Sequence, residues 1–503
     1  MEVSAFANSS SVRRLRFVVV LASTLLAGCA VGPDFKRPDA PGASDYTAHP
    51  VSSTVATPNV AGGESQHFAQ GGDIPGDWWT VFHSKPLNEL IDQSLANNHD
   101  LKAAKAALTV ARENVLAQRG AYYPSVAASF SASRQKQSES ISPTPNSNTF
   151  LYNLYTPQVS ISYVPDIFGL NRRTTESVQA QEQAVRFEMV AAQITLSTNV
   201  VAAAVQAGSL QAQIDATREL IDINTHMVAI LREQLAKGYA SGLDLAAQES
   251  QLEQTRATLP PLIKQLAQQR DLLAVLAGKM PNQAQDETLA LASLQLPQEL
   301  PLSLPSALVE QRPDVRQAEA NMHAASAQIG VAIANRLPNI VLSANAGSTA
   351  LAMDQLFKSG TGFWGLGADL TAPIFQGGTL LHQERAAKAA YVQAAEQYRS
   401  TVLAAFQNVA DTLTALEQDA EGLKAAAAAA DAAKRTLDLS QRQLTAGYAN
   451  YLSLLNAQQS YLQARINLVQ AQANRYADTA ALFQALGGGW WNRADLAQDK
   501  NEK

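Results

Sequence analysis

The spacing of hydrophobic residues along the chain switches between two periods, one of two residues and one close to three and a half. Just after Pro124, apolar side chains alternate with small or polar ones over residues 126–133. The same alternation recurs over residues 159–163, 340–346 and 364–370. A period of two is typical of a strand whose two faces meet different surroundings. The pattern therefore predicts four strands, each with one apolar face and one small or polar face.

The segments between these strands carry apolar residues at steps of three and four. The steps run through Leu220, Ile223, Met227 and Ile230, and they recur over residues 452–469. Steps of three and four are the spacing of a coiled coil.

Two of these segments, residues 172–237 and 377–446, contain no proline. Each can therefore form a single helix of about 100 Å, at 1.5 Å per residue. Gly238 and Gly447 follow them and are expected to end the helices in the left-handed conformation that glycine adopts without strain. Pro260–Pro261 is expected to kink or interrupt the helix that returns from the first turn.

The landmarks of the chain occur twice in the same order. Asp100 and Asp314 are 214 residues apart, and so are Pro124 and Pro338. The sequences QLAKGYASGLDL and QLTAGYANYLSL begin 209 residues apart. We infer a tandem duplication of one unit that reads helix, strand, loop, strand, long helix, tight turn, helix. The predicted segments are a signal peptide (1–28), a lipidated N-terminal segment (29–85), a first repeat (86–280), an equatorial linker (281–305), a second repeat (306–486) and a C-terminal tail (487–503).

The only cysteine, Cys29, follows a signal-like segment. Arg13, Arg14 and Arg16 precede the apolar run 17–26, which is too short to span a bilayer. Leu26-Ala27-Gly28-Cys29 resembles a bacterial lipobox, which implies cleavage before Cys29 and acylation of that residue. Ala30 stands where an aspartate would retain a lipoprotein in the inner membrane, so delivery to the outer membrane is expected. The alternative is an incidental buried thiol.

Composition excludes several classes of function. The formal charge of -6 argues against a nucleic-acid surface, and a lone cysteine leaves neither disulfides nor thiolate metal sites. No metal, cofactor or catalytic constellation is apparent, and Glu417 and Asp419 are expected on a solvated helix face. Gly360–Gly365 fits GxGxxG, but strand-like alternation follows it, so we predict a strand there rather than a dinucleotide loop. Gly487–Gly489 is expected to be a terminal linker.

No apolar run after the signal reaches about 18 residues, the length of a transmembrane helix, so strands would have to cross any membrane. Four strands cannot close a barrel, and open edges are not tolerated in lipid. Two chains would give eight strands with a filled interior, whereas three would give twelve and leave room for a lumen. A conducting pore thus favours a homotrimer. A water-soluble coiled-coil protein with small β-domains is the alternative that the pattern alone leaves open.

Several motifs, in order across both repeats, resemble TolC-like outer-membrane efflux lipoproteins of the NodT type. They are CAVGPDFKRP (29–38), DWW (77–79), LNELIDQSLANNHDLKAA (87–104), YVPDIFGLNRR (163–173), QRPDVRQAEA (311–320), LTAPIFQGG (370–378) and YLSLLNAQQSYLQA (451–464). The resemblance implies an α+β membrane protein, in which a long coiled-coil helical barrel joins a transmembrane β-barrel of four strands per chain. It also implies a trimeric exit duct, anchored by lipid in the outer membrane, that catalyses no reaction.

The resemblance places the residues of the gate and of the adaptor contact at the two hairpin turns, 237–244 and 446–456. Asp244, Ser453 and Asn456 occupy gate positions at the periplasmic tip, where relatives often carry acidic residues. Gly238, Tyr239, Gly447 and Tyr448 occupy the tips that meet the periplasmic adaptor. Asp244 suits a helix N-cap equally well, and the two roles can coexist.

The resemblance also names the partners and the alternatives. The expected partners are a periplasmic adaptor, an inner-membrane transporter of the RND type and outer-membrane lipid, with small molecules such as drugs or metal ions as cargo. The alternative function is the outer-membrane duct of a type I protein secretion system. A periplasmic adaptor is a third class, but it would have one hairpin and lack the four strands.

Overall fold

The chain combines strands of 4 to 13 residues with helices of 4 to 67 residues. In chain order the elements are β1 (His67–Gln70), α1 (Lys85–Asn97), α2 (His99–Arg119), β2 (Ser125–Lys136), β3 (Leu151–Tyr163), α3 (Leu170–Ala236), α4 (Gly242–Leu276), β4 (Glu299–Leu302), α5 (Pro305–Gln311), α6 (Pro313–Ala334), β5 (Asn339–Ser348), β6 (Gly362–Thr371), α7 (Thr379–Thr445), α8 (Tyr451–Ala485) and α9 (Ala494–Ala497). This computed structural model describes residues 30–136, 138, 151–284, 289–446, 448 and 451–497. The predicted signal peptide, Cys29 and Gly447 lie outside the described residues.

The predicted order of elements is confirmed in both halves of the chain. The series α2, β2, β3, α3, α4 is followed by α6, β5, β6, α7, α8. The long helices α3 and α7 each have 67 residues, and the returning helices α4 and α8 each have 35. Identical lengths in the same order are the mark of a duplicated unit. At 1.5 Å per residue, each long helix extends about 100 Å.

Helix α3 ends as its sequence predicts. Gly238 has a φ of +77°, and the Tyr239 N–H donates to the Gln234 carbonyl at 2.8 Å. This bond, from the residue after the glycine to a carbonyl five residues earlier, is the Schellman closure of a helix end. In the second hairpin the Tyr448 N–H donates to the Gln443 carbonyl at 2.9 Å, the same offset.

The predicted interruption at Pro260–Pro261 is wrong, because both prolines lie inside α4. Each proline lacks the N–H that would donate a helical hydrogen bond to the carbonyl four residues earlier. Both prolines are exposed, and so are Arg256 and Ala257, whose carbonyls lose these bonds. Water can therefore reach the freed carbonyls, and the helix continues.

Two compact units form from separate parts of the chain. The sheet unit comprises the described residues up to Arg37, Thr109–Ala184 and Glu319–Gln397. The helical unit comprises Pro38–Leu108, Val185–Ala318 and the chain from Tyr398 onwards.

The sheet unit contains one four-stranded antiparallel sheet in the order β2-β3-β5-β6. The strand predicted at the GxGxxG match is confirmed, since β6 begins at Gly362 and pairs with β5 along its whole length. The middle pair joins β3 of the first repeat to β5 of the second, from Gln158 opposite Gly347 to Tyr163 opposite Leu342. The two repeats therefore share a single sheet.

The helical unit has an aromatic core formed by residues that are far apart in the sequence. Trp78 stacks on Phe483 with ring centroids 5.2 Å apart, and the Tyr476 hydroxyl donates to the Leu294 carbonyl at 3.0 Å. A small parallel sheet of β1 and β4 lies in the same unit. Along the long helices the buried side chains are smaller, as in the cluster of Leu423, Ala427, Ala430, Ala464 and Leu468. Small side chains let helices pack closely without a thick core.

The prediction of a terminal linker at Gly487–Gly489 is wrong. All three glycines are buried with positive φ, and a Cβ at Gly489 would lie 2.3 Å from the Pro75 carbonyl oxygen. After them the Trp490 indole N–H donates to the Gln311 carbonyl at 2.6 Å. The triplet is a tight buried turn that only glycine fits, and it docks the following residues on the helical unit.

One helix of the described residues is long and apolar enough to cross a membrane by length and composition, contrary to expectation. It is α3, and 67% of its most apolar 18-residue stretch is buried inside the chain. Burial by its own chain is what a central packing helix requires, so this stretch is weak evidence for a membrane span.

Candidate functional site

The four-stranded sheet has one continuous apolar face, set by its register. Residues directly opposite one another in antiparallel strands point to the same side. Val126 pairs with Ile161, Ile161 with Ala344, and Ala344 with Leu366. The neighbouring row runs through Ala128, Val159, Ala346 and Trp364. The alternation read from the sequence therefore produces rows of apolar side chains that cross all four strands.

The opposite face carries small and polar side chains. Its central row is Ala127, Ser160, Asn345 and Gly365. The adjoining row includes Ser162, Ser343 and Gly367. A sheet with these two faces suits a wall with hydrocarbon on one side and water on the other.

The apolar face is uncovered in the single chain. Trp364 is 77% exposed and Leu366 is 78% exposed. Ile374 and Phe375, just beyond β6, are also exposed. Contiguous apolar surface of this kind marks a membrane or protein contact, because water-soluble monomers seldom expose it.

Both edges of the sheet are unpaired within the described chain. Strands β2 and β6 each pair on one side only. Unpaired backbone groups cannot be hydrated in a bilayer, so a sheet with this apolar face needs further strands at both edges.

At the first hairpin turn, Asp244 takes part in a capping box. Ser241, not Asp244, is the N-cap of α4, which corrects the simple N-cap interpretation. The Asp244 N–H donates to Ser241 Oγ at 3.2 Å, and the Ser241 N–H donates to Asp244 Oδ2 at 3.2 Å. The Ser241 hydroxyl also donates to Asp244 Oδ2 at 2.7 Å. The carboxylate is half-buried and stabilises the start of the helix.

The two turns also present apolar and aromatic side chains. Tyr239 is 82% exposed, Tyr448 is 88% exposed, and Leu243 and Leu452 are exposed as well. In α8, Ser453 is half-buried and Asn456 is exposed. The structure thus places every predicted tip residue on or near the two turns except Gly447, which lies outside the described residues.

A buried polar chain above the turns was not predicted. The Tyr451 hydroxyl donates to Gln248 Oε1, Gln248 Nε2 donates to Asn224 Oδ1 at 3.0 Å, and Asn224 Nδ2 donates to Thr255 Oγ1 at 3.3 Å. It joins α3, α4 and α8 through four buried residues. Burial raises the pKa of the Tyr451 hydroxyl, and the Asp244 charge adds to the shift, so Tyr451 remains a donor.

The coiled-coil stripe predicted in α3 is displaced from the stripe that the chain buries. Leu220, Asn224, Val228 and Leu231 are buried, whereas Ile230 is exposed and Ile223 and Met227 are half-buried. The same displacement occurs in α8, where Tyr451, Leu454 and Ala457 are buried and Leu452 is exposed. Both helices therefore carry a second apolar stripe that the single chain leaves partly uncovered.

Asp419 is not on a solvated face, which corrects the sequence prediction. It is half-buried in α7 beside Asp478 of α8, and within the described part of the chain no N–H or hydroxyl group donates to its Oδ2. Burial raises the pKa of Asp419 to about 7, and the hydrogen bond and charge of Asp478 add to this, while nearby Arg475 opposes it. Two carboxylates contain no donor, so their contact becomes a hydrogen bond only when one of them is protonated.

This carboxyl pair predicts a pH-dependent stability. The folded chain holds a proton on Asp419 up to a pH of about 7, whereas the unfolded chain releases it near the ordinary aspartate value of 3.8. Stability therefore falls as pH rises across this interval. We expect Asp419→Asn to be more stable than the parent at pH 8 by about 1–2 kcal/mol, a range lowered for solvent screening because the carboxyl is only half-buried. At pH 4 the two proteins should have similar stability. Thermal unfolding at both pH values measures this, and an equal difference at both would contradict it.

Comparison with known proteins decides the family. The profile described as outer membrane efflux protein matches residues 90–279 and 304–488, one match to each half of the duplicated chain. The chain belongs to the outer membrane efflux protein family. Its location is the outer membrane, and its class of function is transport through a channel.

Curated relatives and a solved structure agree with this family. The chain is 31% identical over 481 residues to the antibiotic efflux pump outer membrane protein ArpC of Pseudomonas putida, covering 95% of this chain and 96% of ArpC. Identity and coverage are the same for the toluene efflux pump outer membrane protein TtgC, also of Pseudomonas putida. The outer-membrane channel OprN matches with a TM-score of 0.81 and 25% identity, covering 92% of this chain and 100% of that chain. The fold is therefore that of the outer-membrane efflux channels.

Proposed function

We propose that this chain is the exit duct of a tripartite efflux pump, which passes small molecules across the outer membrane and catalyses no reaction. The apolar face that crosses all four strands carries this proposal, because a barrel wall between lipid and a water-filled channel needs an apolar outer face and a small, polar inner face. Its cargo is small organic molecules, by analogy with the antibiotic and toluene pumps named among its relatives.

The assembled form we propose is a homotrimer with a twelve-stranded barrel. Two chains would bring eight strands, whose interior fills with side chains, while three bring twelve and leave a lumen. The partly uncovered apolar stripes of α3 and α8, which include Ile230 and Leu452, would pack against neighbouring subunits.

The experiment that tests the duct is substrate accumulation. A deletion strain should retain more of a fluorescent drug or of toluene than its parent, and the expressed chain should restore export. If accumulation is unchanged for every compound tried while the chain is present in the outer membrane of the parent, the proposal is wrong.

The lipid anchor is proposed at Cys29. Several acyl chains hold a protein firmly, because each buried methylene contributes about 0.8 kcal/mol. We expect Cys29→Ser to abolish incorporation of labelled palmitate and to leave channel conductance near the parent value, since strands form the membrane crossing. Incorporation of palmitate into Cys29→Ser would contradict this assignment.

The hairpin turns are proposed as the gate and the adaptor contact. Exposed Tyr239 and Tyr448, with Gly238 and Gly447, would meet a periplasmic adaptor, which in turn joins an inner-membrane transporter of the RND type. Asp244, Ser453 and Asn456 would line the constriction, with Asp244 as the one acid of the three.

The neutral Asn456 predicts a weak cation site at the gate. Asn456→Asp would place a second acid of each subunit there, and carboxylates concentrate cations. We expect single-channel block by a divalent cation to strengthen about tenfold, with Asn474→Asp, further along α8, as the control that leaves block unchanged. Equal block in the parent and in Asn456→Asp would show that residue 456 does not line the constriction.

A further inference from the structure

The first described residues of the chain are held in the sheet unit by a buried arginine. Arg173 Nε donates to the Val31 carbonyl at 3.0 Å, and its NH2 donates to the Gly32 carbonyl at 3.3 Å and to Asp34 Oδ1 at 2.8 Å. Its side chain is only 6% exposed. From the other side, the Val31 N–H donates to the Phe168 carbonyl at 3.1 Å. We call residues 30–37 the anchor segment.

A second set of contacts leads from Arg173 back to the anchor segment through Glu176 and His323. Glu176 accepts from Arg173 NH1 at 2.8 Å and contacts His323 Nε2 at 2.9 Å. The His323 ring stacks on Phe35, with centroids 4.3 Å apart and planes 12° apart. The successive contacts thus form a closed circuit, from Asp34 through Arg173, Glu176 and His323 back to Phe35 in the anchor segment. Beyond it, Arg37 pairs with Glu319 at 3.2 Å.

Three glycines allow the anchor segment to lie this close. A Cβ at Gly32 would lie 2.4 Å from Gly330 Cα, and a Cβ at Gly330 would lie 2.8 Å from the Val31 carbonyl oxygen. A Cβ at Gly169 would lie 2.6 Å from Ala30 Cα. Such distances exclude any side chain, so the fit depends on glycine on both surfaces. This steric evidence is independent of the hydrogen bonds and ion pairs.

The contacting residues come from both repeats. Phe168, Gly169, Arg173 and Glu176 follow β3 in the first repeat, while Glu319, His323 and Gly330 precede β5 in the second. Strands β3 and β5 are the pair that joins the repeats in the sheet. The anchor segment therefore fastens both repeats at the end of the sheet, and Ala30, which directly follows Cys29, lies against Gly169.

We propose that Arg173, Glu176, His323, Gly169 and Gly330 form a docking site for the anchor segment, which holds the acylated terminus at the end of the β-sheet. The proposal rests on the proposed lipid attachment at Cys29. Without docking, the 17 residues from Ala30 to Tyr46, whose hydroxyl donates to the Ser303 carbonyl at 2.8 Å, would be a free chain with a mean reach of about 21–25 Å. Docking removes this freedom and sets the place at which the lipid enters the bilayer relative to the sheet.

Hydrogen exchange of the full-length acylated protein tests the site. Arg173→Ala removes the clamp, whereas Gly330→Ala keeps every charge and adds a Cβ that would lie 2.8 Å from the Val31 carbonyl oxygen and 2.7 Å from Arg173 Cγ. Both variants should speed exchange of peptide 30–37, and above all of the Val31 amide, at least tenfold, and should speed tryptic cleavage after Lys36. Arg112→Ala, which disrupts the partly exposed Arg112–Glu182 pair of the same unit, is the matched control and should leave this peptide unchanged.

Two further measurements separate the possible failures. If Arg173→Ala unfolds the whole sheet unit, Gly330→Ala decides alone, and parent-like exchange of peptide 30–37 in that variant overturns the proposal. Parent-like exchange in both variants also overturns it. Palmitate labelling reports the lipid separately: if the parent incorporates none, the lipid assignment fails and the lipid-positioning role fails with it. The unacylated Cys29→Ser variant should keep parent-like protection of the segment, since docking depends on the protein contacts.

Discussion

Replacing Leu366 by arginine is expected to prevent the channel from assembling in the outer membrane. Leu366 is 78% exposed and lies in the row that crosses the sheet through Ala344, Ile161 and Val126. An arginine on the lipid face costs about 2–4 kcal/mol near the bilayer midplane, and a symmetric assembly incurs this cost in each subunit. We expect oligomers that resist detergent to be lost, with the chain missing from the outer-membrane fraction.

The matched control is Ser343→Arg, on the other face of the same sheet. Ser343 pairs with Gly367, the residue next to Leu366, so the two arginines would stand at similar depth on opposite faces. Ser343→Arg should assemble normally and reduce cation conductance, because its charge would face water. Assembly of both variants to the same level would show that the apolar face does not meet lipid.

The faces of the sheet could be predicted from the sequence because strand geometry leaves little choice. Side chains alternate strictly, so the apolar positions 126, 128 and 130 had to share a side once β2 formed. The same holds for Gly238, whose left-handed conformation depends only on a local helix end. Local rules of this kind need no knowledge of what lies across the chain.

The packing of the long helices could not be predicted in the same way. These helices carry alanine or larger apolar residues around much of their circumference, so several stripes compete for burial. The chain buries Asn224 and Val228, while Ile230 stays exposed. Asn224 is buried because Gln248 and Thr255 of α4 provide its hydrogen bonds, and a single helical pattern carries no information about such partners.

The buried turn at Gly487–Gly489 and the Asp419–Asp478 pair were missed for a related reason. Each depends on residues far away in the sequence, such as Pro75 and Gln311 for the turn. Three glycines in a row are compatible with a flexible linker. They are equally compatible with a buried turn against which other residues pack too closely for any Cβ. Only the tertiary contacts distinguish these possibilities.

The second large effect is expected for Arg475 of α8, which is 1% exposed. Its guanidinium donates to the carbonyls of Gly62, Glu64 and Leu416 at 3.4, 3.0 and 3.0 Å, and to Thr54 Oγ1 at 3.3 Å. These bonds fasten the strandless segment 54–64 to α7 and α8 within the helical unit. Arg475→Ala would leave buried acceptors without donors beside the Asp419 carboxyl, so we expect a loss of about 3–5 kcal/mol in unfolding free energy.

Thermal unfolding and limited proteolysis of the helical unit measure this loss, and two variants bracket it. Arg475→Lys keeps the charge but has three donors on one nitrogen instead of a planar fork, so it should recover only part of the stability. Arg218→Ala removes an exposed arginine whose contact with Asp215 is 3.9 Å, and it should cost less than about 1 kcal/mol. If Arg475→Ala were no more destabilising than Arg218→Ala, the buried guanidinium would not be what holds segment 54–64. The geometry predicts a larger loss of stability for Arg475→Ala than for Arg218→Ala. Removing a buried donor leaves the full desolvation cost of every acceptor to which it donated.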